Sequence, residues 1–408
     1  MQRMDIQKYK PTSLTVTMYD TQSSVYGFTF NTVCQPLCPV IRIKKQEDND
    51  WLEYPFESYE ASTVDENVQD VPYYISKAQI PLERNSVYSY FVWDKGIDIR
   101  TAETSLRTND CTKKSFCFAH VGESQEGPQE FRDVLSRTYE KMDFLVHTGD
   151  FVQRTKYEYQ WTEMLDGSYQ YLSSISMMPI AGNHEAKYGN SAGKYEIEKH
   201  FCTKLPVEQS TELGCFYSFE YGNVKFVMLN TNDLEDSGLK PDQYNWLVKE
   251  LRENKCHWTI VSMHNPIYSV GKYGVDPERN GIARTLKEQL VDVFAKYGVD
   301  VVLQGHDHAI SRTFPIDGNG APTNEDFETV NGIEYSIKPK GVIYLMNGPT
   351  GTQTRKPVEI DEALYKYAEQ SNAASWAEFF IDGDTLTFEV KWLDGEKECT
   401  YYKWGIKK

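Results

Sequence analysis

The sequence is short of basic residues and has no long apolar run. Its 43 Lys and Arg residues stand against 60 Asp and Glu residues, which gives a formal net charge of -17. An acidic chain repels a polyanion, so we expect no general nucleic-acid binding. No run of about 18 apolar residues occurs, which excludes a membrane-spanning helix. The first ten residues lack a signal-peptide hydrophobic stretch. We therefore expect a soluble chain, either cytoplasmic or secreted after loss of a leader that precedes residue 1.

The cysteines do not form a metal-binding pattern. None of the eight belongs to a CxxC pair, and none has zinc-finger spacing. An even number permits disulfides without requiring them. The simpler interpretation is that most are small buried hydrophobes. Disulfides and oligomeric state both stay open at this stage.

Core-forming residues are abundant. Hydrophobic residues make up 40% of the 408 residues and aromatic residues 13%, which excludes a disordered chain or a small disulfide-stapled scaffold. Compact domains usually contain about 100 to 200 residues, so this length predicts two domains. We place the boundary near Asn109 to Lys114, which predicts a first domain over residues 1–109 and a second over residues 110–408.

The first domain has the pattern of a β-sandwich. Residues alternate with period two most clearly in Val87–Trp93. Short strands separated by Gly, Pro, Asn and Asp clusters are typical of immunoglobulin or fibronectin type III sandwiches. The acidic and aromatic stretch Glu47–Asp70 is interpreted as a long loop or an inserted hairpin. The predicted strands are Leu14–Tyr19, Val25–Phe30, Val40–Lys44, Tyr73–Ile80, Val87–Trp93 and Asp98–Thr108.

In the second domain, apolar strands alternate with amphipathic helices. Pro128 suits a first helical turn, and Gly298 suits the position after a helix. The polar stretch Asp317–Glu334 is interpreted as a surface loop or hairpin. The predicted helices are Pro128–Lys141, Asp242–Glu253 and Ala283–Tyr297.

Five apolar strands of this domain each lead into polar residues that can bind metals. In open sheets flanked by helices, ligands lie just beyond the carboxyl ends of the strands, so we expect these five ends to converge. Carboxylates and imidazoles are ligands of first-row metals. The segments are Ser115–Val121 before Gly122-Glu123-Ser124-Gln125, Phe144–Val146 before His147-Thr148-Gly149-Asp150, Met178–Ala181 before Gly182-Asn183-His184-Glu185, Thr259–Met263 before His264, and Val301–Leu303 before Gln304-Gly305-His306-Asp307-His308.

In this order the motifs resemble those of one family. A carboxylate, Gly-Asp, Gly-Asn-His-Glu, Val-x-x-His and Gly-His-x-His are similar to the motifs of the calcineurin-like metallophosphoesterases, from about Ser115 to the end. The preceding sandwich resembles the N-terminal fibronectin type III-like domain of purple acid phosphatases, and the closing stretch Trp376–Gly395, before a last strand, resembles their C-terminus. The resemblance implies an α+β protein in which the N-terminal β-sandwich precedes a four-layer α/β/β/α domain.

The resemblance also implies a two-metal centre. Asp150 would be shared by both ions, Asn183, His264 and His306 would complete the second site, and Glu123 with His308 would hold the first. Fe, Mn, Zn and Mg are all compatible with these ligands. The implied reaction is hydrolysis of a phosphoester by a metal-bridging water or hydroxide. The substrate would be a phosphorylated small molecule or protein, either a monoester or a diester.

His184 follows Asn183 and is implied to act on the leaving group, as a proton donor or a hydrogen-bonding group. Together with Asp150 it is our predicted catalytic residue. Glu185 is the candidate that would orient the His184 ring.

Two departures affect the first metal site. Glu123 stands where the family has Asp, and Gln125 stands where many relatives have a ligating His. Gln125 would bind the metal through its amide oxygen or hydrogen-bond a metal-bound water. His120 could lend an imidazole instead, although a structural role is the simpler expectation. If both changes abolish the first site, the protein would be a degenerate relative that acts as a binding protein.

A third departure concerns Gln153. Purple acid phosphatases have at this position the tyrosine whose phenolate binds Fe(III), so we expect no such tyrosine-bound ferric site. Tyr188, Tyr268 and Lys272 lie in loops after two of the ligand strands and are candidates to line the pocket.

Overall fold

A computed structural model of the protein describes residues 5–64, 69–110, 112–186, 196–206, 216–357, 359–371 and 373–408. After a short 3-10 helix at Ile6–Tyr9, the first nine strands are β1 (Thr12–Asp20), β2 (Val25–Thr32), β3 (Pro39–Lys45), β4 (Leu52–Pro55), β5 (Glu57–Val64), β6 (Asp70–Pro81), β7 (Val87–Asp94), β8 (Ile99–Arg100) and β9 (Thr104–Arg107). They form one sheet of order β1-β2-β6-β5 and a second of order β4-β3-β7-β8, with β9 also paired to β7.

These two sheets pack as the expected sandwich. Tyr88, Tyr90 and Val92 of β7 are buried, as its alternation predicts. The ring of Tyr90 meets Phe28 of the opposite sheet edge-on, with 5.3 Å between ring centroids. Alternate side chains of both sheets therefore form the core of the sandwich.

Two sequence interpretations in this region were wrong. The described part of Glu47–Asp70 is neither a loop nor an inserted hairpin, because β4 pairs with β3 of one sheet and β5 pairs with β6 of the other. The chain crosses between the sheets at the buried Phe56. As an edge strand with many exposed side chains, β5 lacks the apolar alternation that would have revealed it. The single strand predicted over Asp98–Thr108 is two short strands.

The remaining strands are β10 (Ser115–Val121), β11 (Phe144–His147), β12 (Ser176–Pro179), β13 (Tyr217–Tyr221), β14 (Val224–Met228), β15 (Leu234–Glu235), β16 (Gly238–Leu239), β17 (Trp258–Met263), β18 (Val301–Gln304), β19 (Ala309–Thr313), β20 (Asp326–Val330), β21 (Ile333–Ile337), β22 (Ile343–Asn347), β23 (Tyr365–Gln370), β24 (Ser375–Asp382), β25 (Thr385–Asp394) and β26 (Lys397–Lys407). The helices are α1 (Pro128–Thr138), α2 (Glu158–Gly167), α3 (Tyr169–Leu172), α4 (Asn183–Ala186), α5 (Glu196–His200), α6 (Pro241–Glu253), α7 (Lys272–Val275) and α8 (Gly281–Lys296).

Two large sheets form the centre of this second part. One has the order β12-β11-β10-β24-β25-β26-β21-β20, and the other β13-β14-β17-β18-β22-β19-β23. Their inner faces pack on each other: Phe118 of β10 stacks on Phe379 at 4.6 Å and meets Phe226 of the other sheet at 5.2 Å. The apolar faces of α1 and α2 cover the outside of the first sheet, and those of α6 and α8 the outside of the second. The result is the expected four-layer α/β/β/α arrangement.

The polar segment after β19 and the C-terminal stretch extend the first of these sheets. Strands β20 and β21 form an antiparallel hairpin, which agrees with one of the two interpretations of Asp317–Glu334. The closing stretch contains β24 and β25, and a further strand, β26, follows and pairs with β25 and β21. Among the described residues, no helix combines the length and apolar character needed to cross a bilayer.

The sandwich packs against the segment that carries α2. Asp166 of α2 accepts a hydrogen bond from the Ser13 backbone at 2.6 Å, and Glu158 accepts one from the Asn31 amide at 2.9 Å. Helix α2 begins eight residues after Asp150, so these bonds support the loop that follows that carboxylate. The predicted boundary at residues 109 and 110 lies between β9 and β10 and stays a prediction.

Candidate metal centre

The five ligand-bearing strand ends meet where the two large sheets face each other. Strands β10, β11 and β12 belong to one sheet, whereas β17 and β18 belong to the other. The expectation of convergence is therefore confirmed, but across two sheets instead of within one. The loops also bond to one another: the Glu123 N–H donates to Gly149 at 3.0 Å, and the Gly305 N–H donates to His264 at 3.1 Å.

Two glycines allow the loops of the first sheet to approach. Gly149 has a φ of +95°, in the region that favours glycine. A Cβ added to Gly182 would lie 2.1 Å from Oδ1 of Asp150. The Gly-Asp and Gly-Asn motifs thus pack together, and larger residues would separate the ligands.

Three of the predicted ligands have unusual backbone conformations. Glu123, Asp150 and His306 have φ values of 54°, 58° and 73°. Non-glycine residues seldom adopt positive φ, and such strain is concentrated at functional sites because the surrounding structure must enforce it. The fold therefore stabilises this arrangement of side chains at a cost in backbone energy.

One group of donor atoms matches the second metal site. Nε2 of His264 lies 3.0 Å from Oδ1 of Asn183 and 3.2 Å from Nδ1 of His306. Oδ2 of Asp150 lies 3.5 Å from the same His264 nitrogen. Asp150, His264 and His306 can bring ligand atoms within 4.8 Å of one another. A cation among these four residues would be bound by two nitrogens and two oxygens.

A second group of donor atoms lies beside the first. Oε2 of Glu123 is 3.0 Å from Nε2 of His308 and 3.5 Å from the amide nitrogen of Gln125. Oε1 of Glu123 is 3.4 Å from Nδ1 of His264, so the donor atoms of the first and second sites are adjacent. All seven residues predicted as metal ligands are therefore brought together in a single cluster, in which Asn183 and His306 are partly exposed and the other five are buried.

Backbone carbonyls set the orientation of two imidazoles. Nδ1 of His264 donates to the Thr148 carbonyl at 2.8 Å, and Nδ1 of His308 donates to the Gln353 carbonyl. In each ring this leaves the Nε2 lone pair directed at the acidic cluster. Metal-binding histidines commonly show this arrangement, in which the second nitrogen fixes the tautomer.

The electrostatics of the cluster also fit a cation. Burial opposes charge on Glu123, but the imidazoles of His264 and His308 outweigh it and hold the Glu123 pKa well below its usual range. Burial and then the charge of Glu123 raise the pKa of Asp150 well above its usual value. Burial lowers the pKa values of His264 and His306, so it opposes positive charge on either ring, whereas the charge of Glu123 favours it. Two buried carboxylates this close together can both ionise only when positive charge balances them.

Gln125 adds a direct indication that the first site is built to hold a ligand. Its side chain is buried, with 1% exposure, and its amide oxygen has no hydrogen-bond partner in the described part of the chain. Leaving a buried acceptor without a partner costs about 1–3 kcal/mol. An ion or a water molecule at this position would satisfy the oxygen, as predicted for either role of Gln125.

His184 lies beside the shared carboxylate. Its Nδ1 donates to the Gln153 carbonyl at 2.8 Å, and its Nε2 is 3.8 Å from Oδ2 of Asp150. Glu185 does not have the orienting contact that we expected. Its carboxylate instead accepts the backbone N–H groups of Asp150 and Gly182, both at 2.8 Å, and that of Phe151 at 2.9 Å. Glu185 thus holds the Asp150 loop against the Gly182 loop, and the Gln153 carbonyl orients His184.

The other candidates contact groups outside the cluster of donor atoms. The buried His120 ring bonds the Thr148 hydroxyl at 3.0 Å, and burial lowers its pKa to about 3, which agrees with the structural role. Tyr268 directs its hydroxyl to the Gly320 carbonyl at 3.5 Å. Lys272 packs over the Tyr273 ring. Tyr188 lies outside the described residues.

Sequence reasoning missed two residues next to the site. The Tyr273 ring packs on His306, with 4.1 Å between centroids. The Arg355 N–H reaches the His308 carbonyl at 3.4 Å, and its guanidinium nitrogen Nη1 is buried without a partner among the described residues. Tyr273 belongs to the short helix α7 and Arg355 to a loop. Neither segment has a recognisable motif, so no signal in the sequence identified these residues.

Comparison with known proteins agrees with this geometry. Residues 118–309 match the family model described as calcineurin-like phosphoesterase. The chain contains a calcineurin-like phosphoesterase domain. The matched segment begins in β10 and ends in β19, so it includes all five ligand-bearing strand ends.

Relatives extend the comparison to the rest of the chain. A purple acid phosphatase from yellow lupin seeds has the same fold, with a TM-score of 0.78 at 19% identity over 98% of this chain and 74% of that one. The Fe(3+)-Zn(2+) purple acid phosphatase 12 of Arabidopsis thaliana is 28% identical over 48% of this chain. The probable inactive purple acid phosphatase 1 of the same plant is 22% identical over 65% of it. The chain spans only 41% and 47% of the length of these two relatives.

The fold comparison covers the β-sandwich as well as the phosphoesterase domain. It therefore supports a purple acid phosphatase-like order of the two parts, sandwich first. The phosphoesterase domain and the donor atoms of Asp150, His264 and His306 together indicate a binuclear metal centre.

Proposed function

We propose that the protein is a metal-dependent hydrolase that cleaves phosphoester bonds at this centre. The observation that supports it best is the convergence of Asp150, Asn183, His264 and His306 beside the Glu123–His308 pair. Bound metal ions would lower the pKa of a water molecule and balance the charge of the phosphoryl oxygens. Mn, Fe, Zn and Mg all accept this set of oxygen and imidazole ligands.

Each side chain has a specific role in this proposal. Asp150 belongs to both sites, while Asn183, His264 and His306 serve the second and Glu123, His308 and Gln125 the first. His184 holds a proton on Nδ1 for the Gln153 carbonyl, so its Nε2 faces the region beside Asp150. We assign Nε2 of His184 to the leaving-group oxygen: when the ring carries a second proton there, Nε2 can donate a hydrogen bond or that proton as the oxygen departs.

The test is hydrolysis of a phosphomonoester, a phosphodiester and pyrophosphate by protein that has been stripped with a chelator and then reloaded with Mn, Fe, Zn or Mg. Activity should depend on the metal and be lost in Asp150→Asn and His264→Ala. Asp150→Asn should also reduce the metal content more than His264→Ala, because only Asp150 serves both sites. His257→Ala is the matched control, since His257 is 41% exposed and pairs with Asp384 instead. Full activity in chelated, dialysed and folded protein would contradict the proposal.

A second function is favoured by the residues of the first site. Glu123 and Gln125 replace the expected ligands, and one relative is described as probably inactive. A chain that has lost the first site would bind a phosphorylated ligand without cleaving it. Elemental analysis separates the two: a two-metal enzyme holds close to two ions per chain, and the degenerate form holds one or none.

A further inference from the structure

A cavity with an apolar wall opens directly from the second metal site. Its volume is about 540 Å³, and Asn183 and His306 form its inner end. Small-molecule pockets usually measure about 300–1,000 Å³. A phosphate group held at the metals would leave most of this space for the organic part of a substrate.

The outer part of the cavity is mainly hydrocarbon. Leu234, Pro266, Ile282 and Ala283 line it, and the Tyr273 ring joins them where it packs on His306. Ile282 is 45% exposed, although it lies in the first turn of α8 beside a buried metal centre. An apolar ligand would remove this exposed surface from water, and the free energy gained increases with the area covered.

The polar residues of the wall are already engaged with the protein. The Asn265 amide donates to the Thr231 carbonyl, and the Asn232 amide donates to the Ala181 carbonyl, both at 2.8 Å. Arg279 pairs with Asp276 through its Nε at 3.4 Å, and its side chain is about half exposed. Among the described lining residues there is no carboxylate. Apart from the Arg279 guanidinium, the cavity therefore offers few free polar groups to a sugar.

We propose that this cavity binds an apolar alcohol moiety, alkyl or aryl, of a phosphoester whose phosphoryl group lies at the metals. The assignment rests on the proposed function, because the metal centre positions the phosphoryl end. It makes Ile282, Leu234 and Tyr273 the residues that set specificity.

The assignment can be tested by binding alone. Ethyl-, butyl- and hexylphosphonate resist hydrolysis and differ only in apolar length, so calorimetry with metal-loaded protein isolates the contribution of the cavity. Affinity should rise about two- to fourfold for each added methylene, the upper value corresponding to full burial. The heat-capacity change should become more negative along the series. Equal affinities, or no binding of any phosphonate, would overturn the assignment.

Variants show whether the dependence of affinity on alkyl chain length arises in this cavity. Ile282→Ser should weaken hexylphosphonate binding about threefold or more and leave ethylphosphonate unchanged, and serine is well tolerated near a helix N-terminus. Ile6→Ser is the matched control, since Ile6 is 50% exposed on the distant sandwich. An equal loss of affinity for both ligands in Ile282→Ser would argue against the cavity as the binding site.

Hydrolysis of ethyl and hexyl phosphate is measured separately. Binding that depends on chain length, without hydrolysis, would reject the proposed function and support the cavity assignment. Hydrolysis with equal affinities along the series would support the proposed function and reject the cavity assignment.

Discussion

Oε2 of Glu123 lies 3.0 Å from Nε2 of His308. The longer side chain therefore still meets the histidine expected to bind the first metal, although the family has aspartate at this position. The Glu123 carboxylate and the Nε2 lone pair of His308 are both electron-rich, so they repel each other unless a proton or a cation lies between them. Their contact therefore argues against complete loss of the first site.

Changing Glu123 should alter the metal content of the first site most, because its Oε2 faces His308 while its Oε1 contacts His264 of the second site. Glu123→Ala removes a carboxylate that faces His308, so the metal content should fall from about two ions per chain towards one. Glu123→Asp restores the length of the family's side chain and should keep two. Loss of a direct ligand commonly lowers affinity tenfold or more. Elemental analysis after dialysis measures this, and two ions in a folded Glu123→Ala protein would show that another group binds the first metal.

Gln125 should matter for metal binding but not for the stability of the metal-free protein. Its amide oxygen is buried without a partner in the described residues, so Gln125→Leu removes an unsatisfied acceptor and the metal-free Tm should stay level or rise. The affinity of the first site should drop about tenfold in Gln125→Leu and increase in Gln125→His, which supplies an imidazole. Calorimetric metal titration and thermal unfolding separate the two effects. Unchanged metal affinity in both variants would rule out Gln125 as a ligand.

The candidate metal ligands were predictable because each follows an apolar strand. Asp150, His264 and His306 come immediately after or shortly after buried strands, and the carboxyl ends of such strands are where ligands collect. The order of the motifs then distinguished the site from isolated turns. What the pattern could not supply was the pairing of strands from two different sheets, because pairing depends on long-range contacts.

Features without a periodic pattern were missed for local reasons. Strand β5 is an edge strand with many exposed side chains, so its residues alternate weakly. Glu185 was expected to orient His184, whereas its carboxylate binds backbone N–H groups of two loops. Bonds of a side chain to distant backbone leave no mark in the sequence, and the same applies to the position of Arg355.

Arg355 should contribute to phosphate binding without holding metal. Its guanidinium has no ion pair or hydrogen bond in the described part of the chain, and one of its nitrogens is buried beside the loop of His306 and His308. A hydrogen bond to a charged group contributes about 1.5–3 kcal/mol. Arg355→Ala should therefore raise the KM for a phosphoester and the inhibition constant of inorganic phosphate about tenfold or more. Arg355→Lys should recover part of the loss.

Two measurements exclude a purely structural effect of Arg355. Metal content and Tm should match the unmodified protein in Arg355→Ala, and Arg252→Ala serves as the control because Arg252 is 61% exposed on α6. Unchanged phosphate inhibition in Arg355→Ala would show that the guanidinium faces away from the substrate.

The iron-loaded, oxidised protein should not be purple. The colour of purple acid phosphatases, which this chain resembles, comes from charge transfer between a tyrosinate and Fe(III), and Gln153 occupies the corresponding position. Tyr268 is not placed to supply the phenolate, because its hydroxyl points to the Gly320 carbonyl. A visible absorption spectrum of the iron-loaded protein should lack a strong band between green and red.

Gln153→Tyr should create that band while leaving the backbone carbonyl that orients His184 in place. A band in the unmodified protein would refute the assignment of residue 153, and Tyr273, which packs on His306, would be the first residue to replace by phenylalanine.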